Sequence, residues 1–158
     1  MKKLLSIATF SVLLFSCAKE GSKTSQNVPG IAVPNTSSGE GCSLSQGYWF
    51  ASPAAQWPAD GVTVGGFQYS ESEAKAIWNT SNQLGLPDSK KAFTQLVAIK
   101  LSAATIGVNA SVWSDVAIAE NYLSGLGKLT PSYLPTGNSD AANSAGSIGN
   151  WINANHCN

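Results

Sequence analysis

Residues 87–105 read PDSKKAFTQLVAIKLSAAT, and the architecture is organised by this stretch. Pro87 followed by Asp88-Ser89 is a helix opening, because proline suits the first turn and short polar side chains satisfy its free amides. Counted from Phe93 at about 100° per residue, Ala104, Val97 and Leu101 fall near 20°, 40° and 80°, and Leu96 near 300°. Lys91, Gln95 and Ser102 share the opposite arc, at roughly 160–200°. The spacing predicts one long amphipathic helix, running to about Thr105, with its polar arc turned from the core. Lys100 breaks the pattern. It falls near 340°, inside the apolar arc, where an ammonium must either snorkel to the rim or be buried with a carboxylate. Glu120, Asp115 and Glu73 are the candidate partners. Glu120 is preferred, since it borders the core face of the next predicted helix. A Lys100–Glu120 ion pair fixing helix register is the expected role. An activated amine, a ligand-contacting cation and half of a Lys–Asx cross-link are the functional alternatives.

Upstream, Val62-Thr63-Val64 and Phe67-Gln68-Tyr69 alternate on either side of Gly65-Gly66, the pattern of a short β-hairpin. Ser70-Glu71-Ser72-Glu73 then has the spacing of a capping box, and a helix should run from it to about Asn79 with Ala74, Ile77 and Trp78 on one side. Downstream, Ser114-Asp115 opens a helix that ends at residues 125–127. Ser139-Asp140 opens a weaker one near Trp151, diluted by Gly146 and Gly149. No internal repeat is present. The fold class expected is mainly α: a small helical domain with one short β-hairpin. Residues 42–158 hold every Trp and Tyr and form a single globular domain.

The first residues are of another kind. Met1-Lys2-Lys3 is a short positive segment, and Leu4 to Phe15 is an uncharged, mostly apolar run. At 1.5 Å per residue that run spans about 18 Å, too short for a hydrocarbon core of about 30 Å. It has the length of a signal-peptide core, so residues 1–16 read as a signal peptide. Leu14-Phe15-Ser16-Cys17 resembles the lipobox of bacterial lipoproteins. That resemblance implies a diacylglyceryl group on the Cys17 sulfur, cleavage before it, and a mature chain beginning there. Phe15 is bulkier than the residue usual at its place. Several acyl chains give durable anchoring where one is marginal, so the partner implied is a membrane held through lipid and not crossed. Ala18 follows the lipidated residue, where Asp would favour the inner membrane, and this points to the cell outer membrane. Residues 17–41 are the lipidated Cys and a linker. More than half of 18–41 is Gly, Ser, Thr, Asn or Pro and none is aromatic, which implies a flexible tether reaching roughly 25–30 Å.

With Cys17 lipidated, two cysteines remain, at the two ends of the domain: Cys42 and Cys157. Export delivers them to an oxidising compartment, where an even number of thiols pairs. Such a disulfide closes the domain from its N- to its C-terminus and, in the chain-entropy account, stabilises it by about 4–5 kcal/mol. Two separate buried thiols are the alternative.

Several functions are disfavoured by composition. The chain has no Arg, and its nine Lys are balanced by nine acids, so no cationic face for nucleic acid is expected. His156 is the sole His and neighbours Cys157, a poor place for a nucleophile–base unit. With both cysteines paired, a zinc site would need carboxylates around one His, and no helix offers a His with an acid one turn away. No phosphate-cradling loop and no nucleophile elbow is present, so no cofactor, no metal and no catalytic residue is expected. The aromatics Tyr48, Trp49 and Trp57 crowd the first third of the domain with Phe50 and Phe67. They are either core or a platform on which a sugar could stack.

The domain also resembles a group of secreted bacterial domains that open Cys-x-x-x-Gln-Gly-Tyr-Trp-Lys. Here the opening is Cys42-Ser43-Leu44-Ser45-Gln46-Gly47-Tyr48-Trp49, and the likeness continues in Val64-Gly65-Gly66, Tyr69, Gln95 to Leu101 and His156-Cys157. The group has no established activity. The resemblance implies the Cys42–Cys157 bridge and a special place for Lys100. The chain departs from it in carrying Phe50-Ala51-Ser52 where the group has Lys and then a nearby His. The functional expectation is a lipid-anchored cell-envelope lipoprotein with a non-catalytic module, structural or binding an envelope glycan or surface protein. An inhibitor-type lipoprotein that captures another protein and a small envelope-polymer hydrolase are the alternatives.

Overall fold

The computed structural model describes residues 42–106 and 112–157. The expected signal peptide, the expected lipidation site Cys17 and the expected linker to residue 41 lie outside the described residues. Helices α1 (Gln46–Ala51), α2 (Glu71–Trp78), α3 (Asp88–Ile106), α4 (Trp113–Leu126) and α5 (Ser139–Ala154) surround one antiparallel hairpin, β1 (Val62–Val64) and β2 (Phe67–Tyr69). The domain is mainly α, with a single hairpin and a Cys42–Cys157 disulfide joining its ends.

α3 is the axis, and it is buried more completely than an amphipathic helix should be. Phe93, Leu96, Val97, Ile99 and Leu101 are fully inside, and so are Gln95 and Ser102 from the arc read as polar. The correction has a physical basis. Ser102 is matched internally and Lys91 donates to Ala142 C=O at 3.1 Å, so other elements cover this arc as well, although among the described residues Gln95 Oε1 is left buried without a partner. Ser102 Oγ accepts from the Leu44 amide at 3.0 Å, the Trp49 indole at 3.2 Å and the Ser43 hydroxyl at 3.3 Å. One small hydroxyl thus seats the incoming chain and α1 on the central helix.

α5 covers the Gln95 side. Gly149 lies so close to Gln95 that a Cβ there would meet its amide at 2.8 Å. Gly149, which weakens α5 in isolation, lets it approach α3, and the helix runs its full length, buried through Ala141, Ala145, Ile148 and Ile152. Asn138 caps it, its Oδ1 accepting from the Ala141 amide at 2.9 Å. Asp88 ties the two helix starts together, one carboxylate oxygen accepting from Gly137 and Asn138 amides and the Thr136 hydroxyl. Those bonds, the Asn138 amide first, hold its carboxyl below the ordinary value.

The hairpin pairs Val62 with Tyr69, Thr63 with Gln68 and Val64 with Phe67. Gly65 and Gly66 both have positive φ, 59° and 79°, as a tight two-residue turn requires. The turn is pressed on α4, where a Cβ at Gly65 would meet Leu123 at 2.9 Å. At α2, the reciprocal capping box of Ser70 and Glu73 is formed. α4 starts at Trp113, one residue before the expected Ser114-Asp115, with no side-chain cap. The short α1, capped by Ser45, carries no period long enough to be read from sequence.

The disulfide is reinforced by backbone. Ser43 N–H donates to Asn155 C=O at 2.7 Å, and Cys157 N–H returns to Ser43 C=O at 3.0 Å, a parallel bridge of Ser43 with His156. Among the described residues no helix is long and apolar enough to cross a membrane.

Candidate functional site

Lys100 and Glu120 are brought together. Lys100 Nζ stands 2.5 Å from Glu120 Oε1, both side chains largely shielded from solvent. Glu120 Oε2 accepts from the Gly65 N–H at 2.6 Å. The carboxylate therefore joins α3, α4 and the hairpin turn through its two oxygens. Lys100 lines neither of the grooves described next.

Aromatic rings form a continuous layer under α1. Trp49 meets Tyr48 and Trp57 edge to face, Phe50 meets Trp57 at 5.8 Å, and Phe50 stacks on Trp78 at 4.9 Å. Trp49 is only 2% exposed and its indole is bonded to Ser102, so it belongs to the core and is corrected out of any stacking platform. Tyr48 is half-buried, its hydroxyl on Ala54 C=O at 3.2 Å. Trp57 is different. Its indole N–H donates inward to Trp49 C=O at 2.8 Å, which fixes the ring. It lines an open groove of about 510 Å³ with Pro58, Ala59, Ser70, Glu71, Ser72 and Lys75. Lys75 and Glu71 pair across one turn of α2 at 2.6 Å. A fixed aromatic ring among hydroxyls and a carboxylate has the composition that binds a polyhydroxylated ligand.

A second groove, about 200 Å³, lies between α1, α2 and α3, lined by Gln46, Trp78, Asn82, Leu86, Lys90 and Thr94. Lys90 is 2% exposed. Its ammonium donates to Thr80 C=O at 2.6 Å and Asn82 Oδ1 at 2.8 Å, both neutral acceptors. Burial holds its pKa below the ordinary lysine value. The sequence carries one signal of this burial. Lys90 falls near 60° on the wheel of α3, between Val97 and Leu101 and deeper in the apolar arc than Lys100.

Glu73 and Lys128 act in structure. Glu73 sits at the capped end of α2 and pairs with Lys128 at 2.6 Å. The Lys128 bond, with further help from the Ser70 amide and hydroxyl, lowers its pKa to about 2. Lys128 also lies 5.1 Å over the ring of Tyr69, whose buried hydroxyl accepts from the Leu129 amide at 2.7 Å. Burial raises the Tyr69 pKa. His156 is exposed in the terminal clasp, and among the described residues no three of His, Cys, Asp and Glu gather as a metal site.

A scan against protein-family models and searches of curated proteins and of solved structures gave no match to this chain.

Proposed function

We propose that this chain is a lipid-anchored cell-envelope lipoprotein, held at the outer membrane through Cys17, whose domain binds rather than catalyses and takes an envelope glycan in the groove at Trp57. Trp57 carries the reading of the domain. Its ring is fixed from within by the 2.8 Å bond to Trp49 C=O, and it lines a groove open to solvent. A ring held in place before a sugar arrives loses little conformational freedom on binding. Ser70, Ser72 and Glu71 supply the polar groups that a sugar's hydroxyls need. The Cys42–Cys157 disulfide supports an oxidising, extracytoplasmic setting. The apolar run before Cys17 supports the anchor.

Two measurements test this reading. Labelled palmitate should enter the wild-type chain and not Cys17→Ser, and equal labelling removes the anchor. Binding to envelope polysaccharide should fall at least tenfold in Trp57→Ala with helical content unchanged, about the loss of one good stacking contact. Unaltered binding removes the groove.

A further inference from the structure

Lys90 is a buried cation with no anion. Charged side chains are almost never fully buried unless paired, because taking an ammonium out of water is costly and only a counter-charge offsets that cost well. The nearest compensation is the end of α2. Thr80 lies just past its C-cap Asn79, and helix ends of that polarity carry about half a negative charge. Asn82 adds a neutral dipole. A full unit of charge is not matched. An ammonium also has three N–H donors, and two are occupied. Among the described residues the third has no acceptor.

The surroundings are those of a receptor for the missing charge. No acidic residue lines the groove, so nothing there repels an anion. Trp78 and Leu86 give it apolar walls, and Gln46, Asn82 and Thr94 add neutral polar groups. Trp78 is held by its stack on Phe50, at an interplanar angle of 6°, and Leu86 is 48% exposed at the rim. The volume, about 200 Å³, lies below the roughly 300–1,000 Å³ of pockets for drug-sized molecules.

We propose that this groove is a second binding site, which takes a small monocarboxylate carrying a compact apolar group, its carboxylate on Lys90 and its apolar part against Trp78 and Leu86. The carboxylate supplies the absent counter-charge and fills the third donor. The apolar group covers the exposed face of Leu86. The site is independent of the lipid anchor and of the groove at Trp57.

The test uses phenylacetate and hexanoate as probes against the uncharged 2-phenylethanol and hexan-1-ol. Binding is followed on the whole chain by calorimetry and by the side-chain amide signals of Gln46 and Asn82. Both carboxylates should bind and shift those two amides, with the matched alcohols at least tenfold weaker. Lys90→Met should weaken carboxylate binding at least tenfold, and Lys128→Met should leave it unchanged. Should Lys90→Met fail to fold, the comparison of acid with alcohol decides alone. Carboxylates that do not bind, alcohols that bind as well, a folded Lys90→Met that binds as well, or shifts confined to residues outside the groove would each overturn the proposal.

Discussion

Two lysines on α3 are buried to nearly the same degree, Lys100 6% exposed and Lys90 2%, yet they are met differently. Lys100 has a carboxylate at 2.5 Å, and that carboxylate's other oxygen holds the hairpin turn. Lys90 has a carbonyl and an amide oxygen, and a groove beside it. The difference separates two uses of one chemistry. A buried cation that is paired in place fixes the packing of the elements around it. A buried cation left with neutral partners keeps its capacity for an incoming anion. Burial alone, or position on a helical wheel, does not distinguish the two; the partner does.

The largest effect should come from making Lys100 resemble Lys90. Glu120→Leu leaves an ammonium buried without an anion and strands the Gly65 N–H. It should cost about 3–5 kcal/mol in chemical denaturation. The double variant Lys100→Met with Glu120→Gln removes the charge and keeps an acceptor for Gly65. It should return to wild-type stability or exceed it, as replaced buried pairs often do. A double variant as weak as Glu120→Leu would mean that the pair adds net stability, and the comparison with Lys90 would lose its basis.

How much of this was legible in the sequence follows the same division. The hairpin, the capping box of α2 and the extent of α3 could be read, because each is fixed by neighbours within a few residues. So could the anomaly of Lys100, since its angle sets it against apolar neighbours and acids nearby in sequence could be weighed as partners. Lys90 has as strong an angular signal, but it follows Asp88-Ser89 in the first turn, where a Lys looks like a solvated helix end. Its acceptors gave no signal at all, one being a main-chain carbonyl. Gln95 and Ser102 are buried against the pattern because side-chain type says nothing of how many elements surround a helix. Gly149 weakens an isolated helix, and its value lies in the closeness of α5 to Gln95, a tertiary fact. Trp57 and Trp49 are the same residue type in the same cluster, and only the packing of α1 on Ser102 sends one inward and leaves the other at a groove.

A smaller effect is expected from Lys90→Met. The variant loses two hydrogen bonds, whose acceptors lie near the surface and can turn to water. It also removes an uncompensated charge, so the two changes nearly cancel and stability at neutral pH should stay within about 1 kcal/mol of wild type. The sign with pH is fixed by the direction of the shift. A lysine whose folded pKa lies below its ordinary value is penalised while the folded form must carry the proton. The penalty is lifted as pH rises through the folded pKa towards 10.5. The wild type should therefore gain on Lys90→Met across that alkaline window in thermal unfolding. A loss of several kcal/mol at neutral pH would make Lys90 a structural cation like Lys100.

The smallest effect belongs to the pair that has little burial to amplify it. Glu73 and Lys128 meet at 2.6 Å with both side chains well exposed, so water and salt screen the attraction. Even so, the Lys128 bond and the Ser70 cap hold the Glu73 carboxyl near pKa 2, below its ordinary 4.5. A carboxylate with a depressed folded pKa stabilises the fold fully above the ordinary value. That contribution drains away as pH falls towards 2, because protonation removes the charge both partners recognise. Thermal unfolding of the wild type and Glu73→Gln should therefore differ slightly at pH 6, converge as pH approaches 2, and differ less at high salt. A gap that persists unchanged at low pH would assign the effect of Glu73 to packing and remove the exposed pair as the solvent-screened baseline against which Lys100 and Lys90 are measured.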